Sequence, residues 1–197
     1  MATSSAATSS SSTRYVIDPR TSQFTVQAFA NGLIAAIAHS PKIAIRDWTG
    51  VIDVASGDFD AASIHIRVQP ASLEVLDEMP DSDRRELHRI MNHEVLESAK
   101  FPEIAYESTR VTTDKMKDDL YRVNVRGRLT LHGVSNEQDV GAQASIGVDS
   151  IRAHGSFTLL QTDYDIRIAS IAGGTLKLMD ELKFSFYVLA RKAATAA

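Results

Sequence analysis

The sequence predicts a mainly β protein, an antiparallel up-and-down barrel of about eight strands with one amphipathic helix covering an opening. Three observations carry that expectation. From Tyr121 to His132, Val123, Val125, Leu129 and Leu131 share one parity with Gly127, and Arg122, Asn124, Arg126, Arg128, Thr130 and His132 share the other. A period of two means a strand with one dry and one wet face. The pattern recurs at Ser63–Gln69 (Ile64, Ile66, Val68) and at Leu182–Arg191 (Leu182, Phe184, Phe186, Val188). The period becomes helical once, in Asp81–Glu97, where Leu87, Ile90, Met91, Val95 and Leu96 form a stripe. Strands linked mostly by short turns form a meander, and a long twisted meander closes because closure removes its edges.

In chain order, Met1–Thr13 is almost entirely Ala, Ser and Thr. Such a segment buries too little apolar surface to offset its ordering entropy and is expected to be a disordered tail. Tyr15–Asp18 and Gln23–Ala30 read as strands around the turn Pro19–Ser22. Asn31–Ser40, Ala-rich around Gly32, is compatible with a helical turn or a strand bend. Lys42–Val54 reads as one strand carrying the single tryptophan, Trp48. The cluster Ser56–Asp60 is a turn in which Gly57 tolerates positive φ. Ser63–Gln69 is a strand ended by Pro70, and Ala71–Glu78 adds a short helical turn. Pro80 precedes the helix, Asp83 with Glu86 forms a capping arrangement, and Asp81 and Asp83 suit the positive N-terminal end. After Phe101–Pro102, strands run over Glu103–Thr112, Leu120–His132, Glu137–Asp149 and Ser150–Thr162, with a turn at Thr113–Asp119. Gly173–Gly174 breaks the chain before the last strand, Leu178–Arg191. The barrel domain is expected over 14–192, with a frayed end at 193–197.

Composition narrows the function classes. The 197 residues include 21 basic and 25 acidic side chains, well mixed. That gives no concentrated basic face and no expectation of nucleic acid. There is no cysteine, which removes disulfides, thiolate catalysis and cysteine metal sites. The longest nearly uncharged apolar run, Leu33–Ala38, is far short of a membrane span of roughly 20 residues. No basic n-region or apolar h-region opens the chain, so a cytoplasmic location without stable membrane insertion is expected.

The sequence carries no G-x-S-x-G, S-x-x-K, P-loop or G-x-G-x-x-G signature, and neither a catalytic set nor a cofactor is predicted. His88 and His93 lie about 140° apart around the helix axis, which does not suit a shared metal. His65, His132 and His154 fall on polar strand faces and are expected to face solvent. His39, before Ser40–Pro41, is either a loop residue in a local hydrogen bond or a ligand head-group contact. Arg46 shares parity with Trp48. If both point inward, Arg46 needs a partner: Asp53 or another carboxylate, or a polar ligand head. Asp163 and Asp165 flank Tyr164 as a carboxylate pair or as exposed turn residues.

Four blocks resemble the YceI-like family: FTVQAFANGLIAAIAHSPKIAIRDWTG (Phe24–Gly50), DRRELHRIMNHEVLESAKFPEIAYES (Asp83–Ser108), RGRLTLHGV (Arg126–Val134) and GSFTLLQTDYDIRIASIAGGTLKLMDELKFSFYVLARK (Gly155–Lys192). The resemblance implies a lipocalin-like, elongated barrel that binds long apolar molecules, polyisoprenoids above all, and is often a homodimer. Many members are exported, and the absence of a visible signal here departs from that pattern. The inward set expected to line a tunnel is Trp48, Ile64, Ile66, Val68, Ile104, Tyr106, Val125, Leu129, Phe157, Phe184 and Phe186, with His39 and Arg46 as head-group contacts. Gly127 and the Ala-rich segment suggest spare room. A packed core wants the same residues as a tunnel, and the resemblance favours the tunnel. The expected function is non-enzymatic carriage of an isoprenoid, quinone or similar lipid. The alternatives are an enzyme using Arg46, His39 and Asp165 in the same cavity, and a solid barrel that acts as an interaction module.

Overall fold

The computed structural model describes residues 12–31, 41–55, 57–168, 170–171 and 176–194. Among them the strands are β1 (Ser12–Ile17), β2 (Gln23–Asn31), β3 (Lys42–Ile45), β4 (Trp48–Ala55), β5 (Asp58–Val68), β6 (Leu73–Val75), β7 (Ile104–Lys117), β8 (Leu120–Leu131), β9 (Val134–Ile146), β10 (Ser150–Leu160), β11 (Ser170–Ile171) and β12 (Leu176–Lys192). One helix, α1 (Asp81–Ile90), runs into a π-helical turn at Met91–Val95.

Eight strands close antiparallel in the order β1-β4-β5-β7-β8-β9-β10-β12. β1 completes the ring by pairing β4 on one side and the end of β12 on the other, with Tyr15 opposite Lys192 and Ile17 opposite Ala190. The 17-residue β12 is long enough to serve two partners on that edge. Its last residues take β1, and its Lys177–Tyr187 stretch takes β2. From β2 the sheet continues through β3 to β6 as a flap at the other end. The exposed edge of β6 is covered from α1: Arg84 donates to the Val75 carbonyl at 2.6 Å and to the Asp77 carbonyl at 3.0 Å. This satisfies acceptors that an edge strand leaves unpaired.

The pattern of alternation explains the strands, and its interruptions explain where they bend. β8 and β9 are joined by His132–Gly133, with φ of 52° and 78°. Two left-handed residues make the turn whose twist matches a two-residue hairpin. β7 carries a bulge between Ser108 and Arg110. The extra residue inverts its parity, so Ile104 and Tyr106 face in before the bulge and Val111 and Thr113 face in after it.

Several expectations needed correction. Lys42–Val54 is two strands, broken at Arg46–Asp47. Asp47 is held there by the Ser72 hydroxyl and by the Gln69 amide. β1 begins at Ser12, two residues inside the expected tail, because Ser12 and Thr13 pair with Ala55 and Val54. The turn expected at Thr113–Asp119 contracts to Asp118–Asp119, since β7 runs on to Lys117. Ala71–Glu78 contributes part of a 3₁₀ turn (Pro70–Ser72) and then β6. The helix stops being α-helical after Ile90. Asn92 donates through its side chain to the His88 carbonyl, and the next turn widens so that Leu96 N–H reaches Met91 O. The helix starts at Pro80 without a side-chain cap. Glu86 turns forward to Arg89 rather than back to the N-terminus.

Two clusters fill the barrel ends. One holds Tyr15, Ile17, Val54, Ile151 and Ala190 where β1 closes the ring, and extends to Trp48, Val75 and Met91 under α1. The other holds Leu129, Leu131, Leu159, Tyr164 and Ile166, with Val95 and Leu96 packed on it.

Candidate ligand cavity

Inside the ring is an apolar cavity of about 210 Å³. Ile64, Ile66 and Val68 line it from β5, Ile104 and Tyr106 from β7, and Val125 and Leu129 from β8. Phe157 comes from β10, and Phe184 and Phe186 come from β12. A cavity of about 150 Å³ lined by such residues stays dry and takes up apolar molecules. Among the described residues, the polar groups in this lining are the hydroxyls of Tyr106 and Thr113, and both are engaged. Tyr106 donates towards the carbonyls of Gln138 at 3.2 Å and Val125 at 3.3 Å, and Thr113 donates to Asp60 at 2.7 Å. Burial pushes the Tyr106 hydroxyl above its ordinary value, so it stays neutral.

Aromatic rings divide the interior. Phe157 and Phe184 stack in parallel with centroids 4.8 Å apart. Phe24, another lining residue, stacks on Phe186 at 5.8 Å and receives Trp48 edge-on at 4.7 Å. Trp48 therefore lies behind the wall, buried against Phe24, and is the one expected lining residue that the cavity does not reach. The room expected at Gly127 is already taken. A Cβ there would lie 2.4 Å from Cζ of Tyr106, so the glycine seats that ring.

The polar residues expected at the ligand head do not meet in the barrel. Arg46 sits in the break between β3 and β4, exposed, and pairs with Glu74 at 2.6 Å. Its guanidinium holds the Glu74 carboxyl below the usual range. The break also uncouples Arg46 from the inward parity of Trp48. Asp53, the other partner considered, instead binds Arg14 at 2.7 Å and ties β1 to β4. Asp165 is exposed and left-handed (φ 54°) after a 3₁₀ turn at Gln161–Tyr164, away from the cavity lining. His39 lies outside the described residues.

The sequence reading missed Val111, displaced by the bulge, and Val140, Ala142, Ala144 and Ile146, which line the cavity from β9. The β9 residues do alternate, but two alanines make the apolar signal faint. Reading also misplaced His132. It is a turn residue whose side chain is 11% exposed, not a solvent-facing strand residue. Its Nδ1 lies 3.2 Å from the Tyr164 carbonyl and its Nε2 lies 2.9 Å from the Glu97 carboxylate. Phe101 packs against its ring at 4.4 Å.

At this end β9 and β10 part. Their ladder stops at Ser156 opposite Gly141. The wedge is filled by the 3₁₀ turn, whose Tyr164 is only 2% exposed. The turn is pinned from four sides. Asp180 accepts from the Thr162 amide and hydroxyl, Gln161 donates to the Met179 carbonyl, Asn136 donates to the Asp163 carbonyl, and His132 meets Tyr164.

An eight-stranded ring with an apolar hollow, a flap and a covering helix matches one known family over most of its length. The sequence profile of the YceI-like domain matches residues 15–190. The chain belongs to the YceI-like family. Its fold is similar to that of Burkholderia cenocepacia BcnA, at 12% identity and a TM-score of 0.66, covering 91% of this chain and 99% of that one. It is equally similar to a polyisoprenoid binding domain from Saccharophagus degradans implicated in plant cell wall breakdown, at 13% identity and 0.66, covering 91% and 98%. The YceI protein of Campylobacter jejuni aligns at 14% identity and 0.57, covering 78% and 85%. At these identities the likeness establishes the fold. No curated protein matches the sequence. The outer face of β8 in this YceI-like barrel carries Arg122, Asn124, Arg126 and Arg128, all exposed.

Proposed function

We propose that the protein is a non-enzymatic binder or carrier of a long apolar molecule of the isoprenoid or isoprenoid-quinone class, held inside the barrel. The observation that carries this reading is the cavity itself: about 210 Å³, walled by apolar side chains, with both lining hydroxyls already hydrogen-bonded. Among the described residues, such an interior supplies burial and no free acid, base or nucleophile. Each buried methylene contributes about 0.8 kcal/mol, so a slim chain binds without specific polar contacts and with loose selectivity. The solved relative described as a polyisoprenoid binding domain supports the ligand class. Arg46 and Asp165 lie outside the cavity, which weighs against an enzyme built on them.

Native mass spectrometry before and after organic extraction tests the proposal. The expected result is a stoichiometric apolar species, or uptake of an added isoprenoid. Ala142→Phe supplies the structural control. A ring at this half-buried lining position fills the void, so the variant folds and loading falls at least tenfold. Undiminished loading of folded Ala142→Phe would place the ligand elsewhere.

A further inference from the structure

Among the described residues, four that are not glycine take a positive φ, and three of them line one open hollow over the wedge. His132 (φ 52°) follows β8, Glu97 (φ 42°) lies just past the π-helical turn, and Asp165 (φ 54°) follows the 3₁₀ turn. Such residues enter the left-handed region at a cost and persist where their surroundings hold them. For two of the three the hold is a single imidazole. His132 is 11% exposed, with Nε2 2.9 Å from the Glu97 carboxylate and Nδ1 3.2 Å from the Tyr164 carbonyl. One ring thus ties the helix exit and the 3₁₀ turn to the β8–β9 hairpin.

Both partners of this ring are acceptors. A carbonyl has no proton to give, and an ionised carboxylate has none either. A neutral imidazole carries one N–H and one lone pair, so it satisfies one partner and turns its lone pair on the other. The imidazolium has an N–H for each. Histidine is the side chain that passes between these forms from about pH 5 to about pH 8. The other charged groups around the ring do not alter this count. The π-helical turn brings His93 and Glu94 to the hollow, and Arg89 holds Glu94 at 2.8 Å. Lys100 reaches the Glu97 oxygen that faces His132, at 3.8 Å. Asp165 and Arg167 follow the 3₁₀ turn into the hollow, and Asp163 is exposed. β9 offers the uncharged Asn136, which donates to the Asp163 carbonyl.

We propose that His132 is a pH-sensitive latch on the 3₁₀ turn, engaged while its ring carries two protons and released from one partner when it loses one. The turn carries Tyr164, which fills the wedge between β9 and β10. The latch therefore regulates exchange of the barrel's apolar ligand, a consequence that rests on the barrel-binding reading above. Retention is expected below the histidine range and faster exchange above it.

Two readouts on the full chain separate the latch from the cavity. The first is hydrogen exchange of the Asp165 and Ile166 amides, which donate to the Thr162 and Gln161 carbonyls of the turn, corrected for the intrinsic pH dependence of exchange. The second is transfer of all-trans-retinol, an apolar isoprenoid probe, to phosphatidylcholine vesicles. From about pH 5.5 to about pH 8.5, protection is expected to fall and transfer to quicken, each about tenfold, as one charge-assisted hydrogen bond is lost. His132→Asn, which tolerates the left-handed backbone, should exchange fast at both pH values. Glu97→Gln should exchange slowly at both, because its amide donates to the bare nitrogen of the neutral ring while the other N–H keeps the Tyr164 carbonyl. A purely structural contact would not be rescued in this way. His93→Gln, which removes the other histidine of the hollow, should behave as the native chain. Protection in the native chain that ignores pH, pH dependence that persists in Glu97→Gln, or its loss in His93→Gln overturns the latch while the barrel reading stands. If retinol never binds but protection still falls as expected, the latch stands and the barrel reading falls.

Discussion

At one end of the barrel, β1 fills the gap between β4 and β12 with two continuous ladders, and Tyr15, Ile17 and Ala190 pack beneath it at 6% exposure or less. At the other end, no strand among the described residues bridges the parting of β9 and β10. Closure there comes from the π-helical turn and the 3₁₀ turn, through side-chain packing and a few side-chain hydrogen bonds. A ladder-closed end opens only when strands separate. An end closed by short turns opens locally at a fraction of the global free energy. The first closure holds the ring together; under the proposed function, the second is the end that would admit a ligand.

The largest effect that separates the two ends comes from truncating their anchors. Ile17→Ala should cost about 3 kcal/mol in urea unfolding, with little change in the rate of ligand exchange. Tyr164→Ala should cost about 2 kcal/mol, because a site at the wedge relaxes and rehydrates, and should speed exchange at least tenfold. Equal costs with equal exchange rates would erase the distinction.

Acid gives a smaller effect of the same kind. Hydrogen bonds from Thr162 hold the Asp180 carboxyl below its ordinary value, and Arg14 does the same for Asp53 at the opposite end. A depressed folded-state value means that each contributes stability above its unfolded value near about 4, lost as pH falls through the folded one. Losing Asp180 releases the 3₁₀ turn, whereas β1 keeps its ladders without Asp53. Ligand exchange should therefore accelerate below about pH 4 in the native protein and lose that pH dependence in Asp180→Asn. Stopped-flow displacement across pH measures this, and acceleration that persists in Asp180→Asn would assign it to another group.

The smallest expected effect concerns Arg46. Its pair with Glu74 is solvent-exposed, so Arg46→Ala should cost about 0.5 kcal/mol and leave ligand affinity unchanged. A measurable loss of affinity would bring the β3–β4 break back into the ligand site.

The inward residues of β5, β8 and β12 were legible because alternation is a local consequence of the pleat. Ile64, Ile66 and Val68, or Phe184 and Phe186, declare a face wherever the strand is placed. β7 was half legible: Ile104 and Tyr106 read correctly, but a bulge shifts parity by one, and Val111 looks outward in a strict count. Arg46 misled for the converse reason, since a two-residue break reset the parity it seemed to share with Trp48. His132 misled because the last polar position of an alternating run was already the first residue of a turn, where facing follows the turn rather than the strand.

By itself the sequence determined which surfaces had to be dry, that strands and one helix would carry them, and the family. Those are properties of near neighbours and their order along the chain. Tertiary structure decided whether the dry face enclosed space. A hollow depends on ring size, on the Tyr106 ring occupying the place opened by Gly127, and on small alanines of β9 lining the same space as rings from β10 and β12. It also brought Glu97, His132 and Asp165 to one hollow from three separate segments. Emptiness and convergence arise from closure over long sequence separations, and no local pattern encodes them.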